Sequence, residues 1–189
     1  MRRILRYLLI AIALAIGGIA LAATFITLPA EQKTPSGHTR NEAVYVTTRD
    51  GVKIAADIWY PPELQRRQKV PTLVRGTRYV RAWGVAWGAK AMTVLGLAHA
   101  GSPSRGTETF NREGFAVVVI DARGTGASFG NVSIPFGPEE IADYHEVINW
   151  IAQQAWSNSK VGALGVSYDG MSAEGMAAGA PPALRAVAP

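Results

Sequence analysis

Apolar residues along this chain fall into one long N-terminal block followed by several short, separated runs. Residues 8–27 are uncharged and rich in Leu, Ile and Ala, and the basic residues Arg2, Arg3 and Arg6 precede them. In a helix rising 1.5 Å per residue, such a run extends about 30 Å, the hydrocarbon thickness of a bilayer. A core helix of this length would carry a polar face, which the run lacks. Residues 1–30 are therefore predicted to be a signal peptide or a transmembrane anchor. The run exceeds the usual apolar region of a signal peptide, whereas Ala20-Leu21-Ala22 fits the small-residue cleavage pattern, so both readings stand. Arginines on the N-terminal side would hold that end in the cytoplasm and send the body across the membrane, so an exported or membrane-anchored body is expected. Residues 31–41 are polar and contain Pro35 and Gly37, a linker, and the folded domain is expected over 42–189.

Within the body the periods change. Residues 43–48 alternate apolar and polar, Asp50-Gly51 supplies a hairpin turn, and residues 52–60 continue as a strand that Pro61-Pro62 ends. Residues 71–75 form a short apolar strand. Across 80–112, Trp83, Trp87 and the apolar residues 92–97 suggest a helix, and 101–106 a loop. Residues 115–120 (FAVVVI) are continuously apolar, as a strand buried on both faces should be. Pro138 opens a helix at its favoured first position, with Glu139 and Glu140 complementing the positive helix end. Ile141, Tyr144, Ile148, Ile151 and Ala155 mark its buried face. Residues 161–166 predict another strand, 172–178 a helix of small residues, and 184–188 one more strand. A hairpin followed by strand–helix alternation predicts an α/β domain with a mostly parallel sheet. A sheet that stops on a strand lacks the helix to cover it, so the sequence reads as truncated, and the isolated chain is expected to aggregate.

Charge and composition exclude more than they suggest. The formal charge of +5 is concentrated at the N-terminus, which holds three of the 19 basic residues and no acid. The remainder has no basic run, which argues against nucleic-acid binding. The chain has no cysteine, so disulfides and thiolate metal sites are excluded, and no His/Asp/Glu cluster has metal-ligand spacing. Thr125-Gly126-Ala-Ser-Phe-Gly130 follows a strand like a dinucleotide-binding loop, but Phe129 replaces the third glycine, and residues 133–138 delay the next helix. Asp121 and Arg123 read as a structural turn pair. No cofactor is expected.

The chemistry concentrates at Gly165-Val-Ser167-Tyr-Asp-Gly170. Hydrolases activate a serine by placing it on a sharp strand-to-helix turn, where Oγ is exposed and following amides face a developing oxyanion. Gly165 supplies the small neighbour such a turn needs. The common motif has a second glycine two residues after the serine. Here that position is Asp169 and the glycine is Gly170, so an ordinary turn with a helix-capping serine is the competing reading.

The wider sequence resembles the Xaa-Pro dipeptidyl-peptidase and cocaine-esterase-like acyl hydrolases, which include the α-amino-acid ester hydrolases. Their motif Gly-x-Ser-Tyr-x-Gly is matched by Gly165, Ser167, Tyr168 and Gly170. Residues 49–61 (RDGVKIAADIWYP) are similar to the family's opening hairpin. Residues 114–130 (GFAVVVIDARGTGASFG) match its strand and Asp-x-Arg-Gly…Ser-x-Gly turn. Ile148-Asn-Trp-Ile151, Gln154-Ala-Trp156 and Lys160-Val-Gly162 resemble the helix and loop before its nucleophile strand. The resemblance implies an α/β-hydrolase fold, broken off after the nucleophile helix and the start of the next strand. It also implies hydrolysis of a small acyl ester or an Xaa-Pro peptide bond through an acyl-enzyme on Ser167. The oxyanion would be held by the backbone amide of Tyr168 and by a tyrosine hydroxyl, here Tyr79 in Val74-Arg-Gly-Thr-Arg-Tyr79. Family members often have proline before that tyrosine; this chain has Arg78.

In α/β-hydrolases the triad acid and histidine follow the serine in the chain. Beyond the Ser167–Gly170 motif this chain offers only Glu174 as an acid and no histidine. His38, His99 and His145 all precede the serine, and His145 reads as a solvated helix residue. Residues 1–189 alone are therefore expected to be inactive. The alternative reading is a catalytically dead, membrane-attached remnant or ligand-binding protein. A separate C-terminal segment completing the sheet is a further expectation.

Overall fold

The computed structural model describes residues 6–8, 10–15, 17–18, 41–62, 64, 69–79 and 106–189. The chain divides into two compact units, Met1–Glu31 with Trp83–Gly101, and Gln32–Ala82 with Ser102–Pro189. In the first unit the described residues are helical, with Tyr7, Leu8, Ile10, Ile12 and Leu14 exposed. Among the described residues no helix is long and apolar enough to cross a membrane. Residues 9, 16 and 19–27 of the predicted anchor, most of the linker, and the helix expected near Trp83 and Trp87 lie outside the described residues.

The second unit is a six-stranded sheet with helices on both faces. Its strands are β1 (Glu42–Thr47), β2 (Lys53–Trp59), β3 (Val70–Thr77), β4 (Ala116–Asp121), β5 (Ser157–Leu164) and β6 (Leu184–Ala188). The helices are α1 (Thr107–Arg112), α2 (Pro138–Gln153) and α3 (Tyr168–Ala177). The order across the sheet is β1-β2-β4-β3-β5-β6. The first two pairings are antiparallel and the remaining three parallel. The β1–β2 hairpin follows from local chemistry: Gly51 adopts φ 80°, and the Thr48 N–H donates to Val52 C=O at 2.8 Å.

All six residues of β4 are buried, as its unbroken apolar run predicts. The pleat sends Val118 and Ile120 into the larger core, with Ile54, Ile58, Val74, Val161 and the α2 residues Tyr144, Val147, Ile148 and Ile151. Val117 and Val119 face the other way, against Trp59 and the α1 residue Phe110. One strand thus fills both cores, which is why none of its positions is polar until Asp121.

Three expectations are corrected. The helix α1 stands just after the expected 101–106 loop, where no element was assigned. The helix α2 ends at Gln153, so Ala155 lies beyond it and is exposed; Glu140 and Asp143 are buried on its inner face instead. The helix α3 begins at Tyr168, four residues before the predicted start, because the turn at Ser167 leads directly into it.

Arg123 is 5% exposed and joins three segments. Its Nε and Nη2 donate to Asp143 Oδ2 and Oδ1 at 2.7 and 2.6 Å, and its Nη1 donates to Asp50 Oδ2 at 2.7 Å. Those hydrogen bonds, the one to Asp143 foremost, hold the guanidinium pKa above its usual value. Asp121 Oδ2 meanwhile accepts the Ala127 N–H at 2.8 Å. The expected turn pair is thus two anchors, one for the hairpin and α2, the other for the loop after β4. Asp143→Ala would leave a buried guanidinium short of its bidentate partner, and is expected to cost about 3 kcal/mol, read as a lower urea midpoint.

Among the described residues β6 has a strand neighbour only on its β5 side, and its residues are partly or fully exposed. Such an edge is a template for pairing with other chains. Expressed alone, residues 1–189 are expected to aggregate; a soluble monomer with a sharp cooperative melt would contradict this.

Candidate active site

The site is built where β5 runs into α3. Ser167 sits at that junction with φ 60° and ψ −123°, a conformation non-glycine residues rarely adopt. The close approach of strand and helix imposes it. A Cβ built on Gly165 would lie 2.1 Å from Asp169 C and 2.2 Å from Asp169 O, so only glycine fits. Ser167 is exposed, and its side chain makes no capping hydrogen bond. That separates it from an ordinary helix-capping serine, whose hydroxyl would bond to an amide of the first turn. Its carbonyl accepts the first bond of the helix, from the Met171 N–H at 3.0 Å. The amides of Tyr168, Asp169 and Gly170 come before that bond and have no intrahelical partner. They and the positive end of α3 follow Ser167 directly in the chain.

Asp169, which replaces the glycine of the common motif, points back to the sheet. Its Oδ2 lies 3.7 Å from Arg75 Nε of β3, and it is hydrogen-bonded to Thr77. Burial pushes its carboxyl pKa up, opposed by the Thr77 hydrogen bond and the Arg75 charge. The departure from the common motif therefore ties α3 to β3, the strand that leads to Tyr79.

Tyr79 follows the end of β3, its N–H donating to Thr77 Oγ1 at 3.0 Å. It is 62% exposed. Its ring meets the Tyr168 ring edge-on with centroids 5.9 Å apart. The Tyr168 ring is also stacked by Phe136 at 4.4 Å and overlain by Arg78 at 5.4 Å. The structure thus brings Ser167, Tyr168 and Tyr79, the three residues singled out in the sequence, to one place.

Beneath them lies a group that sequence reasoning assigned elsewhere. Glu140 was expected only to complement the positive end of the helix, but it is fully buried. Its Oε1 accepts hydrogen bonds from Tyr144 Oη at 2.5 Å and Tyr168 Oη at 2.8 Å. Its Oε2 accepts from Arg78 Nη2 at 2.8 Å and from the Phe136 N–H at 2.9 Å. Burial alone would raise its pKa, but these four donors outweigh it and hold the carboxyl below its ordinary range. Burial and the neighbouring Glu140 carboxylate push the Tyr168 hydroxyl above its usual value. The sequence carried one hint, an acid at the third position of a helix that could reach back past the cap. Its burial depended on Arg78 from the turn after β3 and Tyr168 from α3.

The described histidine is out of reach. His145 is half-buried rather than solvated, and a Cβ on Gly179 would lie 3.0 Å from its Cε1. Gly179 follows the far end of α3, so about 15 Å of helix separates this contact from Ser167. His38 and His99 lie outside the described residues.

Residues 50–189 match the X-Pro dipeptidyl-peptidase family (S15 family). The chain belongs to that family. It is 40% identical over 153 residues to a Mycobacterium bovis protein assigned, but not established, as a serine esterase, covering 79% of this chain and 24% of that one. With the cocaine esterase of a Rhodococcus species it shares 34% identity over 146 residues, 77% of this chain and 22% of the relative. Its fold is similar to that of a CocE/NonD family hydrolase from Staphylococcus aureus, with a TM-score of 0.58 and 29% identity over 76% of this chain and 25% of that one. An α-amino acid ester hydrolase also gives a TM-score of 0.58, at 26% identity over 77% of this chain and 24% of that one. The fold is that of the α/β-hydrolases. The chain spans about a quarter of the length of the curated relatives it matches.

Proposed function

We propose that this S15-family chain carries the nucleophile and oxyanion-binding part of a serine hydrolase that cleaves a small acyl ester or an Xaa-Pro peptide bond. The observation that carries the reading is the exposed, strained Ser167 at the C-terminal end of β5, its hydroxyl uncommitted and the free amides of α3 directly after it in the chain. In this chemistry Oγ attacks the substrate carbonyl and its proton passes to a base. The tetrahedral oxyanion is held by the Tyr168 N–H and the Tyr79 hydroxyl. The leaving alcohol or amine departs with the proton, and water then releases the acid from the Ser167 ester. A histidine and an acid supplied by a part of the protein outside residues 1–189 complete the triad in this reading. The N-terminal segment fits export: three arginines precede an apolar run, and the described helical residues there expose apolar side chains. The body accordingly acts outside the cytoplasm, either anchored through residues 8–27 or released after cleavage.

The test is covalent. In a fluorophosphonate incubated with the full-length protein, Ser167 Oγ should displace fluoride from phosphorus, its proton passing to the base, and add the phosphonyl mass to the peptide bearing Ser167. No adduct, together with no turnover of p-nitrophenyl acetate, would favour an inactive membrane-attached protein. N-terminal sequencing of the native product separates anchor from signal peptide: a start just after Ala22 means cleavage.

A further inference from the structure

The Glu140 carboxylate gathers four donors from four separate pieces of chain. Arg78 comes from the turn after β3, Phe136 from the loop before α2, Tyr144 from α2 itself, and Tyr168 from the start of the nucleophile helix. Two of these flank Tyr79. Arg78 is its neighbour in the chain, and the Tyr168 ring is the surface its own ring packs against. Tyr79 is otherwise largely exposed, held by one backbone hydrogen bond to Thr77. An exposed tyrosine that must aim its hydroxyl at an oxyanion needs such supports, because a displacement of about 1 Å can cost on the order of 100-fold in rate. Arg78 stands where related proteins often have proline, and in this chain it is the arm that reaches the buried acid.

We propose that Glu140 is a positioning residue for the oxyanion hole: through Arg78 and the Tyr168 ring it fixes the place of Tyr79 relative to Ser167. It touches no reacting atom. The inference rests on the serine-hydrolase reading above and extends it to a residue outside the motif. A helix cap would explain only the Phe136 contact. The remaining three hydrogen bonds converge from the turn after β3, from α2 and from α3, and two of their donors, Arg78 and Tyr168, flank Tyr79.

The experiment is a double-mutant cycle in the full-length protein with p-nitrophenyl acetate. Glu140→Gln keeps the shape but sets an amide donor against donors that need an acceptor. It is expected to lower kcat by about 10- to 100-fold with KM little changed. In a Tyr79→Phe background the same substitution should cost no more than about 2-fold, because the group it positions is gone. Arg78→Met serves where Glu140→Gln folds poorly. It leaves Glu140 three hydrogen bonds, and its loss of kcat should likewise vanish in the Tyr79→Phe background. Additive effects, or a Tyr79→Phe protein as active as wild type, would overturn the positioning role while leaving the nucleophile in place. Full activity in Ser167→Ala would instead overturn the hydrolase reading, and this inference with it.

Discussion

Replacing Ser167 by alanine in the full-length protein is expected to lower kcat for p-nitrophenyl acetate by about 10⁴- to 10⁶-fold and to abolish fluorophosphonate labelling. The same protein should keep its melting temperature. Ser167 is exposed and its hydroxyl makes no capping hydrogen bond, so deleting Oγ leaves no cavity and no orphaned partner. Alanine also inherits the φ of 60° at much the same cost as serine, since both carry a Cβ. Stability should change by less than about 0.5 kcal/mol, as for other exposed substitutions. Loss of chemistry without loss of fold is the signature of a nucleophile. Activity within 10-fold of wild type would mean that another group attacks the substrate.

Gly165→Ala should fail in the opposite way, losing fold and chemistry together. The atoms its methyl group would strike are Asp169 C at 2.1 Å, Asp169 O at 2.2 Å and Gly170 N at 2.6 Å. All are backbone, so no side-chain rotation relieves the overlap, and α3 must withdraw from β5. Overpacking of a close-packed interior typically costs 1–3 kcal/mol, and a rigid backbone clash lies at or beyond the upper end. A loss of about 3 kcal/mol or more is expected, read as a lower urea midpoint together with absent labelling of Ser167. Gly170 is a useful contrast, because the nearest atom to a Cβ there is Pro189 C at 3.2 Å. Gly170→Ala should therefore be much milder. If Gly165→Ala were as stable and as reactive as wild type, the turn at Ser167 would not be the constraint argued here.

The two substitutions separate what the motif does. Gly165 permits the turn, and Ser167 uses it. The glycine two places after the serine in the common pattern is dispensable here because Asp169 points away from the turn, toward Arg75 and Thr77.

What could be read from the sequence was what near neighbours in the chain decide. The β1–β2 hairpin was legible because Asp50-Gly51 selects its turn within a few residues. The burial of β4 was legible because a strand covered on both faces must be apolar at every position. The start of α2 was legible from Pro138. The turn at Ser167 was legible because only a small residue at 165 allows strand and helix to approach. The α/β fold class rests on these local signals.

Tertiary structure decided the rest. The strand order, with β4 lying between β2 and β3, depends on pairings between segments about 40 to 60 residues apart, which no local pattern encodes. The helix α1 was missed because a six-residue helix held by Phe110 against Trp59 has too few turns to show a period. The helical period left Glu140 and Asp143 off the buried face of α2, since a carboxylate alone is too costly to bury. Their burial becomes affordable only when Arg78, Tyr144 and Tyr168, or Arg123, arrive from other elements to meet them. The sequence by itself determined most of the elements and marked the turn at Ser167. Only the fold determined which charges were taken inside, because a buried charge depends on partners that the chain brings close after it has folded.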